Sequence, residues 1–186
     1  MFFNSPVDKI VYDVSHQSYP HKILTGRKEN FINPEKFYDI TGYTSQHESE
    51  HDFFIVGHTS TSISLACGLA KARDVKGQNE NIIAVIGDGS LSGGENYGGL
   101  YKILAQLRES NGTSENNFFK ALGFEYYYVS DGNNIQSLIE AFNKVKDIDH
   151  PVVVHIHTIK GKGYEDAEKN KELFHWIMPF RRQGSK

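Results

Sequence analysis

Residues 81–95, NIIAVIGDGSLSGGE, place the tightest constraint on how this chain folds. Five consecutive apolar residues end in Gly-Asp-Gly, which is the pattern of a strand buried on both faces of a parallel sheet. Ligands bind at the carboxyl ends of such strands, and Asp88 stands there between two glycines, where backbone can approach a phosphate closely. A site of this kind suits Mg²⁺ shared with a diphosphate. A tight turn without a ligand is the alternative, because a short glycine motif is weakly specific.

Length and charge narrow the class of protein. The 186 residues are enough for one well-packed domain, expected over residues 1–180, with a loose tail at 181–186. The net charge is −3, so no broad basic face favours nucleic acid or an anionic membrane. The sequence shows no apolar run that would span a bilayer and no basic leader, so we expect a soluble, cytoplasmic protein. The single cysteine, Cys67, has apolar neighbours and is predicted to lie in the core.

Polar segments follow two further predicted strands. The first strand covers residues 9–14 and runs into SHQSYPHKILTGR, where His16 is either a site residue or part of a solvated loop. Residues 29–52 are polar and aromatic without a clear period, and 41–52 are predicted as solvated loop. The spacing of His47 and His51 is discounted as a metal site because the glycine and hydroxyl residues around them disfavour a helix.

A short strand is predicted at residues 53–56, followed by a helix that is rich in small residues. Hydroxyl residues in its first turn cap free backbone amides, and the same amides offer a docking site for a diphosphate. His58 lies between the strand and the cap and is expected to face a ligand. The small residues in the rest of this helix are interpreted as allowing it to pack closely on a sheet.

The remaining residues also read as α/β. A helix is predicted to start at residues 118–122 and to lead into a strand at 125–129. Residues 135–145 have apolar side chains at helical spacing, which predicts a helix that covers a sheet. A last strand begins at Pro151, and in it His155 and His157 fall on one face. His155 is predicted to be a packed or hydrogen-bonded core residue, whereas His157 has either a structural or a functional role.

Four of these stretches together resemble a known family. They are DVSHQSYPHKILTGR, GHTSTSISLACGLAKARD, IGDGSLSGGE and HTIKGKGYEDAE. In this order they are similar to the diphosphate-binding domain of the 1-deoxy-D-xylulose-5-phosphate synthase family, which is transketolase-like and uses thiamine diphosphate. The resemblance extends from Lys9 to about Phe180. It implies an α/β fold with a mostly parallel sheet and helices on both faces.

The resemblance also implies roles for individual residues. Asp88 would ligate Mg²⁺, and His16 and His175 would lie at the reacting groups. The residues expected to bind thiamine diphosphate are His16, Gly57, His58, Thr59, Ser60, Gly89, Ser90 and Tyr164. The implied reaction condenses pyruvate with glyceraldehyde 3-phosphate, a small phosphorylated substrate, in isoprenoid precursor synthesis.

The sequence departs from the family after Gly-Asp-Gly. A helix and a strand that end in the second Mg²⁺ ligand, an Asn, are missing between Glu95 and Asn96. Asn116 and Asn117 have a similar spacing from Asp88, but no apolar strand precedes them, so they are not taken as that ligand. Three interpretations stay open: part of a synthase that needs a pyrimidine-binding domain or forms a homodimer, a shortened non-catalytic binding module, and a structural remnant.

Overall fold

The computed structural model describes residues 2–91 and 97–174 and divides the chain into two compact units, Met1–Tyr97 and Gly98–Lys186. Each unit contains one pair of parallel strands together with helices. The expected α/β class with parallel strands is therefore confirmed. That residues 1–180 form one folding domain stays a prediction.

The first unit is built around two strands and the helix that connects them. Its strands and α-helices are β1 Lys9–Tyr12, α1 Tyr19–Lys22, α2 Lys28–Ile32, α3 Ser62–Val75 and β2 Ile82–Val85, and further helical segments cover Ser15–Ser18, Ile23–Arg27 and Pro34–Asp39. Strand β1 pairs with β2 in parallel, with Lys9 opposite Ile82 and Tyr12 opposite Val85. A parallel pair needs a crossover, and α3 lies within it and contacts both strands. The carboxyl ends of β1 and β2 therefore meet at one edge.

Two predictions about burial in this unit are wrong. All four residues of β2 are partly exposed, because among the described residues this strand pairs with β1 alone. Cys67 is exposed, because α3 turns a different stripe inward, at Ser62, Leu65, Ala66, Leu69 and Ala70. A helix buries positions three and four apart, so apolar neighbours in sequence do not place a residue in the core.

The segment at residues 53–56 is not a strand. A strand requires a ladder of backbone hydrogen bonds with a neighbour. Here the Thr44 hydroxyl donates to the carbonyl of Phe54 at 2.7 Å, so a side chain occupies a position that a ladder would use. Val56 is nevertheless buried, and it leads the chain into the segment before α3.

The second unit repeats the parallel arrangement. Its helices and strands are α4 Tyr97–Glu109, α5 Phe118–Ala121, β3 Glu125–Val129, α6 Ile135–Val145, β4 Val152–Ile156 and α7 Glu165–Lys169. Strand β3 pairs with β4 in parallel, with Glu125 opposite Val152 and Val129 opposite Ile156. The helices and strands predicted after residue 118 are confirmed.

Helix α6 begins and packs for reasons visible in its sequence. The Asn134 side chain accepts hydrogen bonds from the backbone amides of Gln136 and Ser137, which caps the helix. Ala141 and Val145 are buried on its inner face. Ile135 belongs to the predicted apolar stripe but is 73% exposed, because it occupies the first turn of the helix.

Candidate functional site

The Gly-Asp-Gly-Ser turn begins directly after β2. The Ser90 amide donates to the Gly87 carbonyl at 3.1 Å, which closes the turn. The Asp88 carboxylate lies outside the turn in solvent, and its Oδ1 accepts the Gly89 amide at 2.8 Å. Ser90, by contrast, is buried. The turn thus presents a carboxylate outward while its last residue anchors it.

Gln17 holds this turn from the end of β1. Its amide nitrogen donates to the Val85 carbonyl at 3.2 Å, and its amide oxygen accepts from the Gly87 amide at 2.9 Å. A Cβ at position 87 would lie 2.6 Å from the end of the Gln17 side-chain amide, so a larger residue there would displace Gln17. The neighbouring His16 was predicted as a site residue and is exposed in the 3₁₀ turn Ser15–Ser18, whereas Gln17 was not predicted.

The start of α3 is already occupied by an anion from the chain itself. The Asp13 carboxylate is fully buried, and its Oδ2 accepts the Ser60 amide at 2.7 Å. Its Oδ1 accepts the amides of Thr61 and Ser62, each at 3.0 Å. The prediction that these amides are open to a diphosphate is therefore wrong. A buried carboxylate at a helix start is favoured by the helix dipole and by amides that would otherwise lack partners.

The charge of Asp13 is maintained by these contacts. Burial by itself raises the pKa of a carboxyl group, because it penalises the charged form. Here the hydrogen bonds from the backbone of Ser60 and Ser62 outweigh burial and hold the pKa of Asp13 below its usual value. Asp13 is therefore an anion at neutral pH.

Ser60 connects the segment before α3 to the turn after β2. Its φ is +69°, which is a left-handed backbone conformation that residues other than glycine rarely adopt. Its hydroxyl donates to the Ser90 carbonyl at 2.5 Å. Gly57, His58 and Thr59 precede it and are exposed. The structure thus brings together the two predicted cofactor-binding segments through one hydrogen bond.

The donor set at this edge fits a magnesium-bound diphosphate. Among residues 2–91 and 97–174, no three His, Cys, Asp or Glu side chains are grouped as metal ligands. Mg²⁺ does not need such a cage, since it is commonly bound by one or two carboxylates together with phosphate oxygens and water. The exposed Asp88 carboxylate can supply one protein oxygen.

Asn117 has a different role from a metal ligand. Its side-chain oxygen accepts the amides of Phe119 at 3.0 Å and Lys120 at 3.2 Å, so it caps α5. This contact is consistent with the prediction that Asn117 is not the missing Mg²⁺ ligand. The break expected between Glu95 and Asn96 lies outside the described residues and stays a prediction.

The remaining predicted residues belong to the second unit. Tyr164 precedes α7 and is 56% exposed, and its ring centroid lies 5.5 Å from that of Phe174. His175 lies outside the described residues. His155 Nδ1 is 2.7 Å from the Tyr126 hydroxyl, which confirms its prediction as a hydrogen-bonded residue. The backbone of His157 continues the strand pairing by donating to the Val129 carbonyl at 2.9 Å.

A buried ionic cluster in the first unit was not predicted. It is centred on Asp52, which is 3% exposed and accepts hydrogen bonds from Ser45, His21 and Arg27. Burial raises the pKa of the Asp52 carboxyl, but the hydrogen bonds from His21 and Arg27 outweigh it and hold the pKa well below its usual value. The expectation of a solvated loop up to residue 52 is therefore wrong at its end.

A second carboxylate completes this cluster. Glu48 accepts from the fully buried Lys22 ammonium at 2.7 Å, and Lys22 also donates to the Thr41 carbonyl at 2.8 Å. Arg27 Nη1 lies 3.4 Å from Glu48 and so joins the two carboxylates. Two cations are thus matched by two anions, which is what allows them to be buried. The order of charged residues in the sequence did not predict these ion pairs.

Comparison with known proteins identifies the family. The sequence model of 1-deoxy-D-xylulose-5-phosphate synthase matches residues 1–111 and 102–158. The chain belongs to the 1-deoxy-D-xylulose-5-phosphate synthase family. Enzymes of that name are 37% identical in Caldanaerobacter subterraneus subsp. tengcongensis and in Clostridium kluyveri, over 96% and 93% of this chain. A 1-deoxy-D-xylulose-5-phosphate synthase 1 of Geobacter metallireducens is 36% identical over 99% of it.

The same comparisons show that the family pattern is shortened here. The chain spans about two fifths of the length of these relatives, between 38% and 40%. Since 96% of 186 residues is about 179, about 63 of the 242 positions aligned with the Caldanaerobacter enzyme hold a residue only in that enzyme. The two matched segments overlap at residues 102–111.

Within residues 2–91 and 97–174, no helix is both long and apolar enough to cross a membrane.

Proposed function

We propose that this chain supplies the diphosphate-binding part of a thiamine diphosphate-dependent synthase that condenses pyruvate with glyceraldehyde 3-phosphate. The observation that carries the proposal is the hydrogen bond from Ser60 to the Ser90 carbonyl. It joins two segments that the family uses for the cofactor, at the edge where parallel strands deliver ligands. Asp88 stands exposed at the same turn. Membership of the family supports the assignment.

Each side chain has a stated part in this proposal. Asp88 would ligate Mg²⁺, while Gly89 and Ser90 would orient the diphosphate. Gly57, His58 and Thr59 would line its other side, since they are exposed directly before Ser60. His16, Tyr164 and His175 would contact cofactor or substrate. Thiamine diphosphate, when bound, would supply the nucleophilic carbon and the electron sink for decarboxylation of pyruvate.

Turnover in this proposal requires a pyrimidine-binding domain, provided by a longer polypeptide, a second copy or a partner chain. The relatives named as synthases are about two and a half times as long as the part that this chain matches, so they contain enough further residues for such a domain. A second candidate function is a non-catalytic module that binds the cofactor without turnover. The roughly 63 absent positions favour it, because the second Asn ligand is expected among them.

Calorimetric titration with thiamine diphosphate, with and without Mg²⁺, tests the binding site. We expect Mg²⁺-dependent binding that weakens at least tenfold in Asp88→Ala, because the substitution removes the protein oxygen that would hold the metal. Asp131→Ala is a matched control, since Asp131 is also an exposed aspartate that precedes a glycine after a parallel strand. An absence of binding up to millimolar cofactor would refute the proposal.

Catalysis is tested by adding separately produced pyrimidine-binding domain and measuring pyruvate decarboxylation. Decarboxylation that increases until the two chains reach a fixed molar ratio would support a split or partial synthase. Cofactor binding without decarboxylation at any ratio would instead support the non-catalytic module.

A further inference from the structure

Asp13 connects the ends of the two strands to the start of α3. It follows β1, and its own amide donates to the Val85 carbonyl of β2 at 3.0 Å. Its carboxylate accepts three amides at the start of α3, from residues 47 to 49 positions later in the chain. A buried carboxylate with three backbone donors is rigidly held, because charged hydrogen bonds are stronger than neutral ones.

The N-terminus of α3 is not capped by the side chain of its own N-cap residue. Thr61 is the N-cap of α3, yet its side chain makes no capping bond to the helix. Its hydroxyl donates instead to the His58 carbonyl at 3.1 Å. Capping is normally local, from a Ser, Thr, Asp or Asn at this position. Here it is supplied by Asp13, so the helix start is fixed to the carboxyl end of the strand pair.

The conformation of Ser60 depends on the same carboxylate. A positive φ at a residue other than glycine is costly and persists only where surrounding contacts enforce it. The Ser60 amide donates to Asp13 Oδ2 at 2.7 Å, and its hydroxyl donates to the buried Ser90 at 2.5 Å. Ser60 thus bonds to Asp13 through its backbone amide and to Ser90 through its side chain. Loss of the first is expected to release the second.

We propose that Asp13 is a positioning residue for the diphosphate site: it holds Ser60 in the left-handed conformation from which its hydroxyl orients the Gly87–Ser90 turn. Asp13 contacts no ligand in this arrangement and acts through Ser60. The inference deepens the proposed function, because the turn is the part of the chain expected to hold Mg²⁺ and diphosphate. It also assigns the amides at the start of α3 to Asp13 rather than to the ligand.

Asp13→Asn tests the inference with little change in size. The Asn side chain keeps one acceptor oxygen and replaces the other with an NH₂ group, which is a donor. At least one of the three backbone amides therefore loses its hydrogen bond. Asp8→Asn is the matched control: Asp8 accepts the Asn81 amide at 2.8 Å at the opposite end of the same strands. We expect the Kd for Mg²⁺–thiamine diphosphate to rise at least tenfold in Asp13→Asn and to stay within twofold in Asp8→Asn. Equal effects of the two variants would overturn the proposal.

A second measurement is independent of cofactor binding. In ¹⁵N-labelled protein, Asp13→Asn should speed amide exchange at residues 60–62 and shift the amide signals of Gly89 and Ser90, whereas Asp8→Asn should affect Asn81 and leave that turn unchanged. Unchanged signals at Gly89 and Ser90 in Asp13→Asn would refute the connection through Ser60. If the wild-type chain binds no cofactor, the proposed function fails, and the spectra still decide whether Asp13 positions the turn.

Ser60→Gly keeps the test decisive if Asp13→Asn does not fold. Glycine adopts a positive φ without cost, so the variant should fold while losing the hydroxyl that reaches Ser90. We expect the Gly89 and Ser90 signals to shift and the cofactor Kd to rise several-fold. Wild-type spectra and affinity in Ser60→Gly would overturn the proposal.

Discussion

Removal of the Asp52 carboxylate should strongly destabilise the first unit. Asp52 accepts the Ser45 amide at 2.9 Å, His21 Nε2 at 3.0 Å, and two nitrogens of Arg27 at 2.5 and 3.0 Å. In Asp52→Ala all four bonds are lost, and the guanidinium of Arg27, which is itself buried, keeps only the longer contact with Glu48 and a bond to Thr25. The variant therefore leaves the buried Arg27 cation without its closest carboxylate.

The expected loss follows from measured effects on buried ion pairs. Breaking such a pair by removing one partner costs about 3–5 kcal/mol, which for a protein of this size corresponds to a fall in Tm of about 6–20 °C. The exposed pair between Arg73 and Asp74 provides the comparison, with Nη2 and Oδ1 2.7 Å apart. Asp74→Ala should cost less than about 1 kcal/mol, because solvent screens a surface pair.

Urea unfolding followed by far-UV circular dichroism, with calorimetry for Tm, measures both variants. The two substitutions remove the same group from an arginine, so the difference between them reports burial and the number of hydrogen bonds. If Asp52→Ala costs no more than Asp74→Ala, the cluster is not buried and paired as described, and the reasoning fails.

Two further predictions concern pH and glycine positions. Because hydrogen bonds from His21 and Arg27 outweigh burial, the folded-state pKa of Asp52 lies below its unfolded value of 3.8. Its stabilisation is therefore full well above that pH and is lost as the pH falls through the folded pKa. The Tm difference between wild type and Asp52→Asn should be large at pH 7 and shrink at pH 3; a difference independent of pH would contradict this. Gly112 and Gly77 both have positive φ, but a Cβ at position 112 would overlap Tyr128, whereas position 77 is open. Gly77→Ala should cost about 1 kcal/mol of unfolding free energy and Gly112→Ala at least about 2 kcal/mol more in urea titrations, and equal costs would be the contrary result.

Local patterns were sufficient for much of the fold. Helix α6 was predicted with its observed limits, because its apolar period and its Asn cap are both encoded within a dozen residues. Strands β3 and β4 were predicted from short apolar or aromatic runs bounded by turn residues, whereas their pairing was not. The turn after β2 was predicted because Gly-Asp-Gly is a local requirement of backbone geometry.

Burial was predicted less well than element type. Cys67 and residues 53–56 were assigned from the character of their immediate neighbours, and both assignments were wrong. Whether an apolar residue faces inward depends on the phase of its helix against a sheet. Whether a short run forms a strand depends on a partner elsewhere in the chain.

By itself the sequence determined the family, the order of helices and strands in most of the chain, and the exposed carboxylate of Asp88 at the end of a parallel strand. Only the tertiary structure decided what Asp13 and Asp52 do. The start of α3, which binds Asp13, and Arg27, which binds Asp52, lie about 25 to 50 positions away in sequence, and nothing in the residues adjacent to the two aspartates encodes those contacts. A charged side chain near a predicted strand end suits solvent, a ligand or a buried partner equally well. The choice is made when folding brings donors to it and removes water.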